Sequence, residues 1–308
     1  MAEPSAADAG GLNHKYLRLQ DLRRLKNVFF SSRRVVEGQY AGRHSSPQRG
    51  HSVEFNDYRQ YMAGDEIGDV DWKVYARSDK MFVKLFEHQS DMTVNLVVDA
   101  SASMAYGGLR SGHRKYDQAC MMAAAIAFLT TQQQDRISFG LAQGGLHQFH
   151  RPYGAFTHLL GILKTMEQVV PQGQANLAEA LRRTAALIGR RGLLGVFSDL
   201  LDDQQAILDA MAVFTHRGSE VILFHILHAD ELKLPSMQEA IFRDSETLAA
   251  MGLHVEDVRK EYEQRLSRYL ETWATACRGR GIDYNLVSTA VNYSQALAHY
   301  LYQRAGMM

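Results

Sequence analysis

The stretch Thr93-Val94-Asn95-Leu96-Val97-Val98 limits more than any other how this chain can fold. It has strand length, it is rich in β-branched and apolar side chains, and it offers no polar face to water. Such a strand belongs in a parallel sheet covered on both sides. Further strands are expected at Ile137 to Ala142, Leu193 to Phe197, Val221 to Ile226 and Tyr284 to Val287. Helical patterns fall at about 116–131, 155–169, 177–190, 203–216, 256–279 and 293–304. Alternation of this kind wraps helices around both faces of an open sheet. One pair breaks the rule: Gly144-Gly145 separates Ile137 to Ala142 from a second strand at Leu146 to His150. Two glycines accept the positive φ of a tight hairpin. The expected fold is therefore α/β, an open, mostly parallel, doubly wound sheet with one antiparallel edge strand.

This main domain is expected to span residues 92–308, with an insertion at about 229–255 that could hold a hairpin at Ala240 to Phe242 and Leu248 to Leu253. Upstream the pattern is mixed. Residues 1–12 are rich in Ala, Gly, Ser and Pro and read as a disordered tail. Residues 13–91 read as an N-terminal helix followed by a β-rich accessory region. The helical pattern runs from Tyr16 to Phe29, with Leu22, Leu25 and Phe29 on one side and Arg18, Arg23, Arg24 and Lys26 around the rest. That basic face is either solvated or a docking surface. Short β-like pieces follow at Val35-Val36, Val53 to Phe55 and Met81 to Phe86.

Charge narrows the function classes. Lys plus Arg and Asp plus Glu are both 34, so the chain has no basic field to hold nucleic acid, and any charged site must be local. The two cysteines, Cys120 and Cys277, form no C-x-x-C pair and read as reduced thiols. The first residues lack the apolar core of a signal peptide, and no apolar run approaches the ~20 residues of a membrane helix. A cytoplasmic protein is expected.

In an open parallel sheet, ligands gather beyond the carboxyl ends of the strands. The first buried strand ends in Asp99-Ala100-Ser101-Ala102-Ser103. In extended chain, residues i, i+2 and i+4 project the same way, so a carboxylate and two hydroxyls converge. Oxygen donors of this type suit a hard divalent cation, Mg²⁺ above all, with Mn²⁺ or Ca²⁺ as alternatives. A second strand ends in Phe197-Ser198-Asp199-Leu200, and Asp199 reaches the same point if the two strands are neighbours. The rival role for the cluster Asp199, Asp202 and Asp203 is to cap the next helix.

D-x-S-x-S after a buried strand, with an edge hairpin and an Asp after the fourth strand, resembles the metal-ion-dependent adhesion site of von Willebrand factor A domains. The upstream text is more specific. Tyr58-Arg59-Gln60-Tyr61-Met62-Ala63-Gly64-Asp65, Asp69-Val70-Asp71-Trp72, Ala76-Arg77 and Val83-Lys84-Leu85-Phe86-Glu87 resemble the bacterial domain-of-unknown-function family numbered 58. The similarity runs from about residue 35 to 300, and Phe242 to Thr247 fits it too. The resemblance implies a von Willebrand factor A-like, Rossmann-like sheet of order 3-2-1-4-5-6 and no catalysis. It implies metal binding directly through Ser101 and Ser103, with Asp99 and Asp199 acting largely through water. It also implies a MoxR-type AAA+ ATPase as protein partner.

One departure touches the metal. Where such domains carry a ligating Thr before a T-x-L-x-x-A-L-like stretch, this chain has Ala175-Asn176-Leu177-Ala178-Glu179-Ala180-Leu181. Ala175 has no side-chain oxygen, and Asn176 is the candidate substitute. Three readings stay open: a non-enzymatic adaptor with a metal site, a metal-dependent hydrolase using the same loop, and a scaffold whose metal site has decayed. A hydrolase needs a nucleophile beside a base, for which Ser101 or Ser103 with His113 are the candidates. No H-E-x-x-H, Walker A or G-x-S-x-G motif occurs. His147 and His150, three apart on a strand, face opposite sides and cannot chelate together. The upstream residues Arg59, Tyr61, Gly64, Asp65, Asp71, Trp72 and Arg77 are expected to build structure, with Trp72, Tyr58 and Tyr61 as a small core and Arg59, Asp65, Asp71 and Arg77 as a buried ion-pair network. Gly107 and Gly108 are expected to free the loop after the serines.

Overall fold

The computed structural model describes residues 14–18, 53–61, 72–78, 81–88, 92–108, 113–189, 191–236, 239–243 and 250–304. The chain divides into two compact units, residues 41–91 and the remainder.

In the smaller unit, β1 (Val53–Gln60) pairs antiparallel with β2 (Phe82–His88), with a register shift between Phe55 and Asp57. Arg59 stands opposite Val83 in this ribbon, and the Tyr61 N–H donates to the Met81 carbonyl at 2.9 Å. Between the strands lies α1 (Trp72–Ser78), a two-turn helix that the pattern of the sequence did not disclose. Two of the expected structural residues need correction. Trp72 is 54 % exposed and meets Tyr75 edge to face at 6.1 Å, and Arg77 is exposed. A seven-residue helix presents its first-turn tryptophan to a neighbour one turn on, with more than half of its surface exposed. Gly64, Asp65 and Asp71 lie outside the described residues.

The larger unit is built on six strands: β3 (Thr93–Asp99), β4 (Arg136–Ala142), β5 (Leu146–Tyr153), β6 (Leu193–Ser198), β7 (Glu220–Leu227) and β10 (Ile282–Ser288). Their spatial order is β10-β7-β6-β3-β4-β5. Counted within this unit, that is the doubly wound von Willebrand factor A-like order 3-2-1-4-5-6. All pairings are parallel except β4 with β5. That hairpin turns at Gly144 and Gly145, with φ of 66° and 101°.

Alternate residues of the central strands feed two cores. Val94, Leu96 and Val98 of β3, with Ile222, Phe224 and Ile226 of β7, face α2 (Lys115–Gln132), α3 (Phe156–Gln168) and α8 (Tyr293–Arg304). Val97, Leu194, Val196 and Leu223 face α4 (Leu177–Leu187), α5 (Gln204–His216) and α7 (Val255–Arg278), whose Trp273 is fully buried. α2 is buried on nearly every side from Ala119 to Leu129, so it reads as apolar all round and not as a surface helix. Phe197 and Phe224 stack at 4.8 Å across adjacent strands. Each such ring buries on the order of 150–250 Å², which makes this pair a principal anchor of the sheet centre.

Residues 14–18, grouped with the accessory region by sequence pattern, pack instead on the larger unit. Tyr16 and Leu17 are buried in its core, and the Tyr16 hydroxyl donates to Asp117 at 2.9 Å. His14 to Leu17 forms a turn closed by an isolated bridge, not the start of a helix. The rest of the expected helix to Phe29, and Val35-Val36, lie outside the described residues. After β7 comes a short helix, α6 (Ala229–Leu232), and then the expected hairpin, β8 (Glu239–Arg243) with β9 (Ala250–His254). Among the described residues, no helix is long and apolar enough to cross a membrane.

Candidate functional site

β3 and β6 are adjacent and parallel, so their carboxyl ends bring Asp99 and Asp199 to one rim. Around them lies a cavity of about 90 Å³ lined by Asp99, Ser101, Ser103, Gln174, Ala175, Asp199, Leu201 and Asp202. The space admits a small cation with waters. The four residues expected to gather do line it together.

Local hydrogen bonds explain why. Asp99 ends β3, and its Oδ1 accepts the Ser101 N–H at 2.8 Å, a side-chain-closed turn that redirects the chain at once. The chain continues into a single 3-10 turn at Ser103–Ala105. This places Ser101 Oγ 3.0 Å from Ser103 Oγ. The loop before α4 closes the wall: Gln172 N–H donates to Ala100 O at 3.0 Å, and Ala102 N–H to Gly173 O at 2.8 Å. From β6, Ser198 Oγ donates to Asp99 Oδ2 at 2.6 Å and accepts the Leu200 N–H at 2.9 Å. Leu200 holds a left-handed φ of 59°, a costly conformation for a side chain of its size. Its burial and the Tyr269 hydroxyl on its carbonyl at 2.8 Å keep it there.

The rival capping roles fall to the neighbours of Asp199. Asp203 accepts the Ala206 N–H at 2.7 Å and starts α5. Asp202 Oδ2 accepts the Leu177 N–H at 3.0 Å and serves the start of α4. Asp199 itself is buried, and its Oδ1 makes no hydrogen bond. Its backbone carbonyl accepts from His225 Nε2 at 3.1 Å, while His225 Nδ1 meets the Tyr284 hydroxyl at 2.7 Å.

Lys115 went unnoticed in the sequence. Its side chain is 1 % exposed, and Nζ donates to Asp199 Oδ2 at 2.8 Å and to Glu231 Oε1 at 2.6 Å. Burial pulls the lysine pKa down, but the two carboxylates more than reverse this, leaving it above the ordinary value. Burial, and then the charge of Asp199, push the Asp99 carboxyl up to about 7. The second carboxylate of the rim is thus harder to ionise than the first, and Lys115 is the cation already set against them.

The donors fit a hard divalent ion. Adjacent corners of an octahedron with bonds of about 2.1 Å lie about 3.0 Å apart, which is the Ser101–Ser103 hydroxyl spacing. The unpartnered oxygen of Asp199 would face such an ion's water shell. Among the described residues, no group of three or more His, Cys, Asp or Glu is arranged to hold a metal, so an ion here would have to rely on the serine hydroxyls. Ala175 lines the cavity and brings no side-chain oxygen, and its carbonyl accepts the Gly145 N–H at 2.9 Å. Asn176 does not line it: it sits exposed at a left-handed φ of 49° before α4, and Gln174 lines the cavity in its stead. The serine hydroxyls hydrogen-bond each other, and His113 is exposed. His150 Nε2 pairs with Thr165 Oγ1 at 2.8 Å, while His147 faces solvent.

Gly108 does not loosen its loop. At φ 52° a side chain there would collide with the His228 ring and the Asp230 carboxylate, so the glycine permits a close approach.

Residues 57–271 match the family described as "Protein of unknown function DUF58". The chain belongs to this family. Uncharacterized proteins of Mycobacterium bovis and Mycobacterium tuberculosis are each 24 % identical over 261 residues, covering 83 % of this chain and 81 % of theirs. Among solved structures, the conserved hypothetical protein BatB from Bacteroides thetaiotaomicron is similar at 12 % identity and a TM-score of 0.45, over 70 % of this chain and 99 % of that one. The SpRpn10 VWA domain is similar at 11 % identity and a TM-score of 0.40, over 68 % of this chain and 94 % of that one.

Proposed function

We propose that this DUF58 protein is a non-catalytic protein-binding module of the cytoplasm that engages a MoxR-type AAA+ ATPase through a metal-ion-dependent adhesion site at its sheet rim. One observation carries this reading: two hydroxyls at octahedral spacing beside an unpartnered, buried aspartate oxygen. Ser101 and Ser103 are the direct holders, with Asp99 and Asp199 supporting through water. A divalent ion bound here supplies a Lewis-acidic position that a partner's carboxylate completes. The protein supplies the rest. Ser198 fixes the orientation of Asp99, the turn at Leu200 fixes Asp199, and Leu201, 58 % exposed at the cavity, offers apolar contact around the charge. One ion–carboxylate contact does not hold two proteins alone, so such surrounding contacts carry most of the affinity.

The test is capture of the ATPase by the immobilised protein in Mg²⁺ and in EDTA, with Asp99→Ala as control. Loss of capture in EDTA and in the variant is expected. Capture indifferent to both overturns the reading. Ala175 favours a second one, a scaffold whose metal site has decayed. A flat calorimetric titration with Mg²⁺ and Mn²⁺ decides for it.

A further inference from the structure

We infer that Lys115 is the built-in counter-cation of the rim site and sets how tightly a divalent ion can hold Asp199. The inference rests on the metal-site reading above and assigns its affinity to a residue outside the donor set.

The Asp199 carboxylate faces two ways. Oδ2 takes the Lys115 ammonium at 2.8 Å, while Oδ1, bare and buried, belongs to a residue that lines the cavity. An ion attracted to Oδ1 therefore shares one negative charge with an ammonium a few ångströms away. In a buried setting the repulsion between two such cations is poorly screened.

The lysine has no easy retreat. It is the first residue of α2, and its own N–H donates to the Tyr106 carbonyl at 3.0 Å. On its far side Glu231 is equally fixed: Oε1 accepts the ammonium at 2.6 Å, and Oε2 accepts the His228 N–H at 2.6 Å at the start of α6. Glu231 is thus the counterweight. Its carboxylate draws the ammonium away from Asp199 and leaves more of the aspartate's charge for the cavity.

Opposite consequences follow for the two residues. Removing the lysine charge frees Asp199 for the ion, whereas removing the glutamate charge throws the whole ammonium onto Asp199. A purely structural role predicts that both changes weaken binding. Lys115→Met alone leaves the buried Asp199 and the part-buried Glu231 carboxylates without the cation between them, a costly arrangement, so the informative variant is Lys115→Met with Glu231→Gln. Lys115→Gln keeps hydrogen-bond donors while removing the charge, and it serves if the double variant does not fold.

The experiment is calorimetric titration of Mg²⁺ into the wild-type full chain, Glu231→Gln, the double variant and Lys115→Gln. Expected is Mg²⁺ binding at least about tenfold tighter in the lysine variants, with Glu231→Gln severalfold weaker than wild type. Wild-type binding unchanged or weakened by loss of the lysine charge overturns the inference and leaves the metal site standing. Binding by the lysine variants alone supports it while refuting a metal-dependent wild type. Silence in every protein overturns the metal site and the inference together.

Discussion

His225 makes the rim sensitive to acid, and the size of the effect follows from two hydrogen bonds. The Asp199 carbonyl can only accept, so Nε2 carries the proton, and Nδ1 must accept from the Tyr284 hydroxyl. The neutral ring is fully satisfied, and a second proton on Nδ1 would evict the phenol's. Burial lowers the His225 pKa to about 4, against partial opposition from Asp199. A histidine depressed in the folded state contributes stability above its unfolded pKa of about 6.5 and loses it as pH falls toward the folded value. Between pH 7 and pH 4.5 the loss is about 2–3 kcal/mol. His225→Gln supplies a donor for Asp199 and an acceptor for Tyr284 without titrating. At neutral pH the variant should cost about 1–2 kcal/mol through imperfect packing. At pH 4.5 it should equal or exceed the wild type. Urea unfolding at both pH values, in chelator, measures the double difference. Parallel pH profiles for the two proteins would refute the assigned tautomer and its burial cost.

Asp99→Asn should show the reverse trend. Burial and Asp199 raise the Asp99 pKa to about 7, above an unfolded value of about 3.9, so stability is lost as pH rises from the unfolded value to the folded one; in chelator, urea midpoints of the variant should gain on wild type as pH rises from about 4.5 to about 7 and hold level above that, while any stabilisation by Mg²⁺ disappears. Gly108→Ala should cost about 2 kcal/mol or more, from the left-handed backbone and from the collision with His228 and Asp230, and hydrogen exchange should rise at α6; an unchanged melting temperature would contradict the close approach. Phe197→Ala removes the ring stacked on Phe224 at the sheet centre and should cost about 3–5 kcal/mol, read as a lower urea midpoint, and a loss under 1 kcal/mol would show that the stack is dispensable.

Much of the architecture was visible in residue pattern alone because the sheet buries its strands completely. The run ending at Asp99 and the paired glycines at 144 and 145 announce a buried strand and a hairpin through local physics. The D-x-S-x-S spacing likewise places its oxygens through a local turn. Lys115 was invisible for the opposite reason. A lysine opening an apolar helix reads as a solvated first-turn residue, and the partners that bury it lie 84 and 116 positions away. Only the strand order brings them together. Asn176 misled because adjacency in sequence says nothing about direction: the left-handed turn that starts α4 points it outward. The two turns of α1 were too short to show a period.

The hydroxyl of Ser198 reaches both strand ends at once, giving its proton to Asp99 and taking one from Leu200. The two acidic walls are consequently spliced. Neither turn is anchored only within its own strand: the orientation of the Asp99 carboxylate and the backbone at Leu200 depend on the same hydroxyl.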